Sequence, residues 1–229
     1  MVIWIATSEG LRFYDLGKNK FVSNQNLYPL PKSLLSNYIF FIHNDSQKNI
    51  WISSMNKGVY CIGQNKEKTR CYRYVKSPLV ESHDFICFEE DKYGNFYLGT
   101  GNGGIIKIEP TQKITSITTK KGIVSNHVSS LKSHNDLLWI GTSHAISSIS
   151  QKKPLRVRNF DESDGVKGYE FYSGSSYKDK NGWLYFGSNE GVNYFHPDSI
   201  KKNQLVPPVY FTSILINNIP VNVGEASGA

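Results

Sequence analysis

Two acidic clusters are the residues best suited to catalysis. Glu89, Glu90 and Asp91 form one, and Asp161, Glu162 and Asp164 surround Ser163 in the other. Glycosidic cleavage would need two carboxylates facing each other across a substrate. Neither cluster offers that by its spacing: Asp91 has a turn role described below, and the second cluster reads as an exposed loop. The six histidines are His43, His83, His127, His134, His144 and His196, and no two share the spacing of a zinc site. Gly99-Thr100-Gly101-Asn102-Gly103-Gly104 looks at first like a phosphate cradle. Such a cradle opens a helix, whereas the residues that follow, Ile105 to Ile108, read as a strand. The serines recur at fixed places in a repeat, so no nucleophile with its base is recognisable. Neither catalysis, nor a metal, nor a cofactor is expected of this chain.

That repeat organises the rest. Trp4-Ile5-Ala6-Thr7, Trp51-Ile52-Ser53-Ser54, Tyr97-Leu98-Gly99-Thr100, Trp139-Ile140-Gly141-Thr142 and Tyr185-Phe186-Gly187-Ser188 share one form: an aromatic, an apolar residue, a small one, a hydroxyl. They are spaced 47, 46, 42 and 46 residues apart. Asp45, Asp91 and Asp179 each stand six residues before the aromatic and begin an Asp/Asn/Gly turn of the kind that closes hairpins. An apolar strand precedes each turn. A Gly-containing turn and a third strand follow the aromatic strand, and Cys71 to Tyr74 and Ile114 to Ile117 are candidates for a fourth. Four strands in a period of forty-odd residues make a β-propeller blade. The expected fold is all-β: about five repeats, three of them complete blades. The first should lack its innermost strand and the last its outermost. The recurring aromatics are expected to be buried, and Pro29 to Leu35 reads as a loop.

The segment Asp91-Lys92-Tyr93-Gly94-Asn95, followed by Tyr97-Leu98-Gly99-Thr100, resembles the two-component-regulator propeller repeat. That repeat builds the periplasmic sensor region of hybrid two-component histidine kinases. Gly168 to Phe171, then Asp179 to Gly187, then Gly191 to Pro197 are similar to the last blade of those sensors. Pro207 to Asn218 is similar to the first strand of the Ig-like triple-tyrosine domain that follows it. The resemblance implies propeller blades over residues 1–206, the start of the Ig-like domain over 207–229, and remaining blades elsewhere in a longer protein. It also implies a periplasmic location, a homodimer in the full-length inner-membrane sensor, and detection of glycan fragments that control polysaccharide-utilisation genes. The other readings are a cytoplasmic transcriptional regulator and a propeller lyase or hydrolase.

Composition agrees with a packed β-domain. Of 229 residues, 39% are hydrophobic and 13% aromatic, a balance that favours strands. The net charge is +7. Its basic residues are scattered, as on a solvated surface, so no nucleic-acid partner is expected. The start, Met1 to Ile5, has no basic segment and no long apolar run, so no signal peptide is read there. Val2 to Ile5 reads as the second strand of a blade, and the chain is expected to be a piece of a longer one. The three cysteines, Cys61, Cys71 and Cys87, fall on strands. Buried thiols are expected, with a Cys61–Cys71 link left open.

The repeat breaks between Phe160 and Tyr172. Aromatic faces stack on sugar rings, and neighbouring polar groups can bond hydroxyls. Phe160, Asp164, Lys167, Tyr169, Glu170 and Tyr172 are therefore the candidate residues for an oligosaccharide, with Phe171 and Trp183 in the same aromatic group. The positive balance would favour an acidic glycan. The alternative is that these aromatics only close the last blade.

Overall fold

The computed structural model describes residues 1–23, 30–63, 69–72, 84–200, 214–216 and 219–221. It divides into two compact units, Met1–Pro197 and Asp198–Ala229.

The first unit is a succession of five antiparallel sheets. Blade 1 has β1 (Val2–Ile5), β2 (Arg12–Asp15) and β3 (Lys20–Val22). Blade 2 has β4 (Ile39–Asn44), β5 (Ile50–Ser54), β6 (Gly58–Ile62) and β7 (Thr69–Tyr72). Blade 3 has β8 (Phe85–Glu90), β9 (Phe96–Thr100), β10 (Ile105–Ile108) and β11 (Ile114–Ile117). Blade 4 has β12 (Val128–His134), β13 (Leu137–Thr142), β14 (Ile146–Ser150) and β15 (Val157–Phe160). Blade 5 has β16 (Phe171–Lys178), β17 (Leu184–Ser188) and β18 (Gly191–Phe195). Among the described residues, three blades of four strands thus stand between two of three. Blade 1 begins at the strand that carries the aromatic motif, and blade 5 ends at its third strand among the described residues.

The first strands of blades 2 to 5 form the inner layer. Cys87 approaches the Val128 carbonyl, and the Glu89 carboxylate accepts from Ser133 N–H at 2.8 Å. Ser176 donates to the Leu131 carbonyl at 3.4 Å and Lys178 to that of Ser133 at 2.7 Å. Partners advance together along both strands of each pair, so β8, β12 and β16 run in one direction.

Apolar clusters fill the first three interfaces between blades. Leu11 and Phe13 of blade 1 pack with Ile39, Ile52 and Tyr60 of blade 2. Trp51 and Val59 pack with Phe88, Leu98 and Ile106 of blade 3. Tyr97 and Ile105 pack with Leu131, Leu138 and Ile140 of blade 4. Trp51, Tyr97 and Trp139 are 1%, 1% and 2% exposed. Tyr185 was expected to match them but is half-buried, as is Trp4. Both stand in the three-stranded blades.

The small and hydroxyl residues of the motif now have physical reasons. The inner strand bulges where it passes the small residue. A Cβ on Gly99 would lie 2.3 Å from Cys87 Sγ, and one on Gly141 would lie 2.4 Å from Ser130 Oγ. The hydroxyl then closes the next turn: Thr7, Thr100, Thr142 and Ser188 donate to the carbonyls of Gly10, Gly104, Ala145 and Gly191. Thr100 closes the Gly-rich stretch in this way, so that stretch is a hairpin turn. One expectation is corrected. Ser33–Ser36 form a single helical turn rather than plain loop, because Leu34 is wholly buried between blades 1 and 2.

Cys61 and Cys87 are buried, and burial pushes the Cys87 thiol up to about 12. The Cys71 side chain lies outside the described residues, as do Arg73 and Tyr74 and residues 201–213, where the division at 206/207 falls. Of the expected Ig-like strand, Ile214–Ile216 is described as β19, paired with β20 (Ile219–Val221) in the second unit.

Candidate functional site

The loop from blade 4 to blade 5 is built on a capped turn. Glu162–Asp164 form a 3-10 turn capped by Asp161, whose Oδ1 accepts from Ser163 N–H at 2.8 Å and from the Ser163 hydroxyl at 2.6 Å. These two bonds hold the Asp161 carboxyl below its ordinary range. Asp164 reciprocates by accepting from Asp161 N–H at 3.2 Å, a capping box. Gly165 then turns the chain with φ 90°.

From Lys167 onward the backbone is tied to blade 5. Lys167 N–H donates to Asn193 Oδ1 at 2.7 Å, and its carbonyl accepts from Asn193 and from Ser188. Asn189 Oδ1 accepts from Tyr169 N–H and Glu170 N–H, both at 3.2 Å. Gly168 (φ 86°) lies so close that a Cβ would sit 2.4 Å from Ser188 Oγ. A loop held by its backbone presents its side chains outward. Asp164, Lys167 and Glu170 are exposed, Tyr169 is 63% exposed and Tyr172 is 51% exposed.

The sequence candidates therefore separate into groups. Asp164, Lys167, Tyr169, Glu170 and Tyr172 share one exposed stretch. Phe160 does not join them: it is 8% exposed, with its ring stacked on Trp139 at 5.4 Å and the Arg158 guanidinium 4.9 Å from its centroid. Phe171 is buried at the start of β16. Trp183 lies at the opposite end of β17 from the loop, beside Tyr194 and His196.

Among the described residues no group of three His, Cys, Asp or Glu side chains is placed to hold a metal ion. Asp136 is an ion-pair hub, bonded by Lys92 at 2.8 Å, Lys152 at 3.0 Å and the Tyr93 hydroxyl. These bonds hold its carboxyl well below the usual carboxylate range. The hub joins the turns of blades 3 and 4.

Sequence reasoning missed a cleft of about 230 Å³ between the inner strands. Tyr38, Phe40 and His43 line it from blade 2, Phe88 from blade 3, Lys132 from blade 4, and Ser173 and Gly174 from blade 5. Lys132 is paired with Glu89 at 2.9 Å. The His43 ring lies 4.6 Å from that of Phe88, and burial lowers its pKa. One signal was present in the sequence: Tyr172-Ser173-Gly174-Ser175 interrupts the apolar pattern of an inner strand.

The family described as two component regulator propeller matches residues 33–56, which span the helical turn, β4 and β5. "Histidine kinase P4" of Formosa agariphila is 27% identical over 237 residues, a match covering 97% of this chain and 17% of that protein. The extracellular domain of a hybrid two component system from B. thetaiotaomicron superposes with a TM-score of 0.56 at 22% identity, covering 98% of this chain and 37% of that one. A second such domain from the same organism gives 0.63 at 19%, covering 89% and 28%. The chain thus spans well under half of each relative. Residues 33–56 thus resemble a two-component-regulator propeller repeat, and the solved extracellular domains share the fold of this chain.

Proposed function

We propose that this propeller detects ligand for an extracytoplasmic hybrid two-component sensor, and that the ligand is a glycan fragment. The observation that carries the reading is the loop after blade 4, where Tyr169 and Tyr172 stand exposed on a backbone fixed by Asn189 and Asn193. Function tends to sit on loops held by a rigid scaffold, and exposed aromatic faces suit sugar rings. Asp164, Lys167 and Glu170 supply polar partners beside them. In this reading Phe160 supports the loop from below, against Trp139.

The whole protein would be a periplasm-facing, dimeric histidine kinase of the inner membrane, reporting to polysaccharide-utilisation genes. Residues 207–229 would begin its Ig-like output domain. The relative named as a histidine kinase supports this, as does the extracellular origin of the solved domains that share the fold. Among the described residues no helix is long and apolar enough to cross a membrane. The propeller itself would bind, and phosphoryl transfer would belong to the rest of the protein. Ligand signals by binding two conformations unequally.

Calorimetry of the complete sensor domain against an oligosaccharide panel tests this reading, with Tyr169→Ala and Tyr172→Ala beside wild type. An oligosaccharide should bind, and both variants should bind it more weakly. The net charge of +7 favours an acidic glycan, so affinity should fall as salt rises. Unchanged affinity in both variants would leave the loop a packing element.

A further inference from the structure

The inner strand of blade 5 departs from its counterparts. In blades 2, 3 and 4 the first strand carries a short bulge, where two steps oppose one on the second strand. In blade 5, five steps from Phe171 to Ser176 oppose two, from Ser188 to Phe186. The extra residues loop out at Tyr172 to Ser175, and Ser175 secures them by donating to the carbonyls of Tyr172 (2.6 Å) and Gly187 (3.0 Å). Enlarged bulges recur beside binding sites, where they re-aim side chains. This one places Ser173 and Gly174 on the cleft. A Cβ at Gly174 would meet no atom within 4 Å, so the backbone there borders open space.

Across the cleft stands the bulge of β4. Tyr38 is 44% exposed, and its ring lies 5.0 Å from that of Phe40 at 51°. The hydroxyls of Tyr38 and Ser173 have no hydrogen-bond partner among the described residues. Lys132 is neutralised by Glu89, and burial favours neutral His43.

We propose that this cleft binds one neutral monosaccharide ring, stacked on Tyr38 and Phe40 and hydrogen-bonded by Ser173 and the bare backbone at Gly174. The proposal rests on the glycan-sensing reading above and adds a site and a ligand class. Its volume lies below the roughly 300–1,000 Å³ of pockets for larger ligands, which limits the occupant to a single ring. Aromatic rings and free hydroxyls suit a sugar. The Lys132–Glu89 pair leaves no spare cation, so a carboxylated sugar gains nothing here, in contrast to the rim loop with Lys167.

The test is calorimetric titration of the chain with glucose, galactose, mannose and N-acetylglucosamine, each neutral, and with glucuronate and galacturonate. Ser173→Trp fills the cleft from an exposed position, and Tyr38→Ala removes the stacking face. Melting curves establish that each variant is folded. A neutral sugar should bind wild type, and lose at least about tenfold in affinity with Ser173→Trp or Tyr38→Ala. Tighter binding of a uronate than of its parent sugar overturns the proposal. So does sugar binding that survives both cleft variants. If Tyr169→Ala alone abolishes binding, the cleft falls and the rim loop stands. If no monosaccharide binds the chain but oligosaccharides bind the complete sensor domain, again only the cleft falls. If neither binds, both readings fall.

Discussion

Tyr97 donates its hydroxyl to the carboxylate of Asp91 at 3.0 Å, joining a strand to the turn six residues before it. Trp51 makes the same bond to Asp45 at 2.9 Å, and Tyr185 reaches Asp179 at 3.4 Å. Asp91 also accepts from the amides of Tyr93 and Asn95 and from the Asn95 side chain. It is 4% exposed, and with burial it pushes the Tyr97 hydroxyl pKa up. Asp91→Ala would strand several buried donors, at about 1–3 kcal/mol each before relaxation. Urea unfolding should show a loss of about 2–4 kcal/mol, and a loss below that range would deny the turn its anchoring role.

Blade 4 has a shorter turn and no Asp at that position. Trp139 Nε1 is accordingly buried without a partner among the described residues. Trp139→Ala should cost about 3–5 kcal/mol, as for other large aromatic core deletions. Trp139→Phe forfeits no hydrogen bond, whereas Trp51→Phe removes the buried indole N–H that Asp45 accepts, leaving that carboxylate its bonds from Asn49. The Trp51→Phe variant should therefore be the less stable of the two by about 1–2 kcal/mol. Equal melting temperatures would show that the indole N–H is irrelevant in both.

The turn needs a left-handed residue three places after the Asp. Gly94 (φ 74°) and Gly182 (φ 90°) meet that need, but blade 2 uses Lys48 at φ 61°. A side chain in that region is strained. Lys48→Gly should raise stability by about 0.5–1 kcal/mol, net of the freedom it adds to the unfolded chain, while Gly94→Ala should lower it. The opposite signs would appear in paired denaturant titrations.

His43 gives a pH dependence. Its folded pKa is lowered from 6.5, chiefly by burial. As pH falls below 6.5 the unfolded chain takes up a proton that the folded chain resists, so stability falls. Melting temperature should drop between pH 7.5 and 5.5, and His43→Gln should reduce that drop. An identical pH profile in the variant would exclude His43 as the source.

The outer face of blade 5 presents Tyr177 (63% exposed), Tyr194 (65%) and Val192 (63%), with Tyr185 between Tyr177 and Tyr194. In blades 2 and 3 the face that carries the motif aromatic is covered by the following blade. Exposed patches of this kind drive association. The isolated chain should self-associate as concentration rises, and Val192→Lys with Tyr194→Lys should shift it toward monomer in sedimentation velocity. A wild-type monomer at high concentration would contradict this.

The repeat was legible because its cause is local. Asp45, Asp91 and Asp179 bond amides within four residues, and the motif hydroxyls close turns a few residues ahead. Period and strand order followed from those signals. The break after Phe160 was visible for the same reason, since a loop that leaves the period shows in one dimension.

Sequence alone did not separate Phe160 from Tyr169, because both are aromatics in one stretch. Only the packing of Trp139 put one inside and left the other in solvent. Nor could it show that Tyr185 is less buried than Trp139, since burial of a blade face depends on the sheet packed against it. The cleft was least legible. Tyr38, Lys132 and Ser173 come from three separate blades and meet only because the inner strands lie side by side. Local hydrogen bonds determined the blades, and the stacking of sheets distant in sequence decided which side chains a ligand can reach.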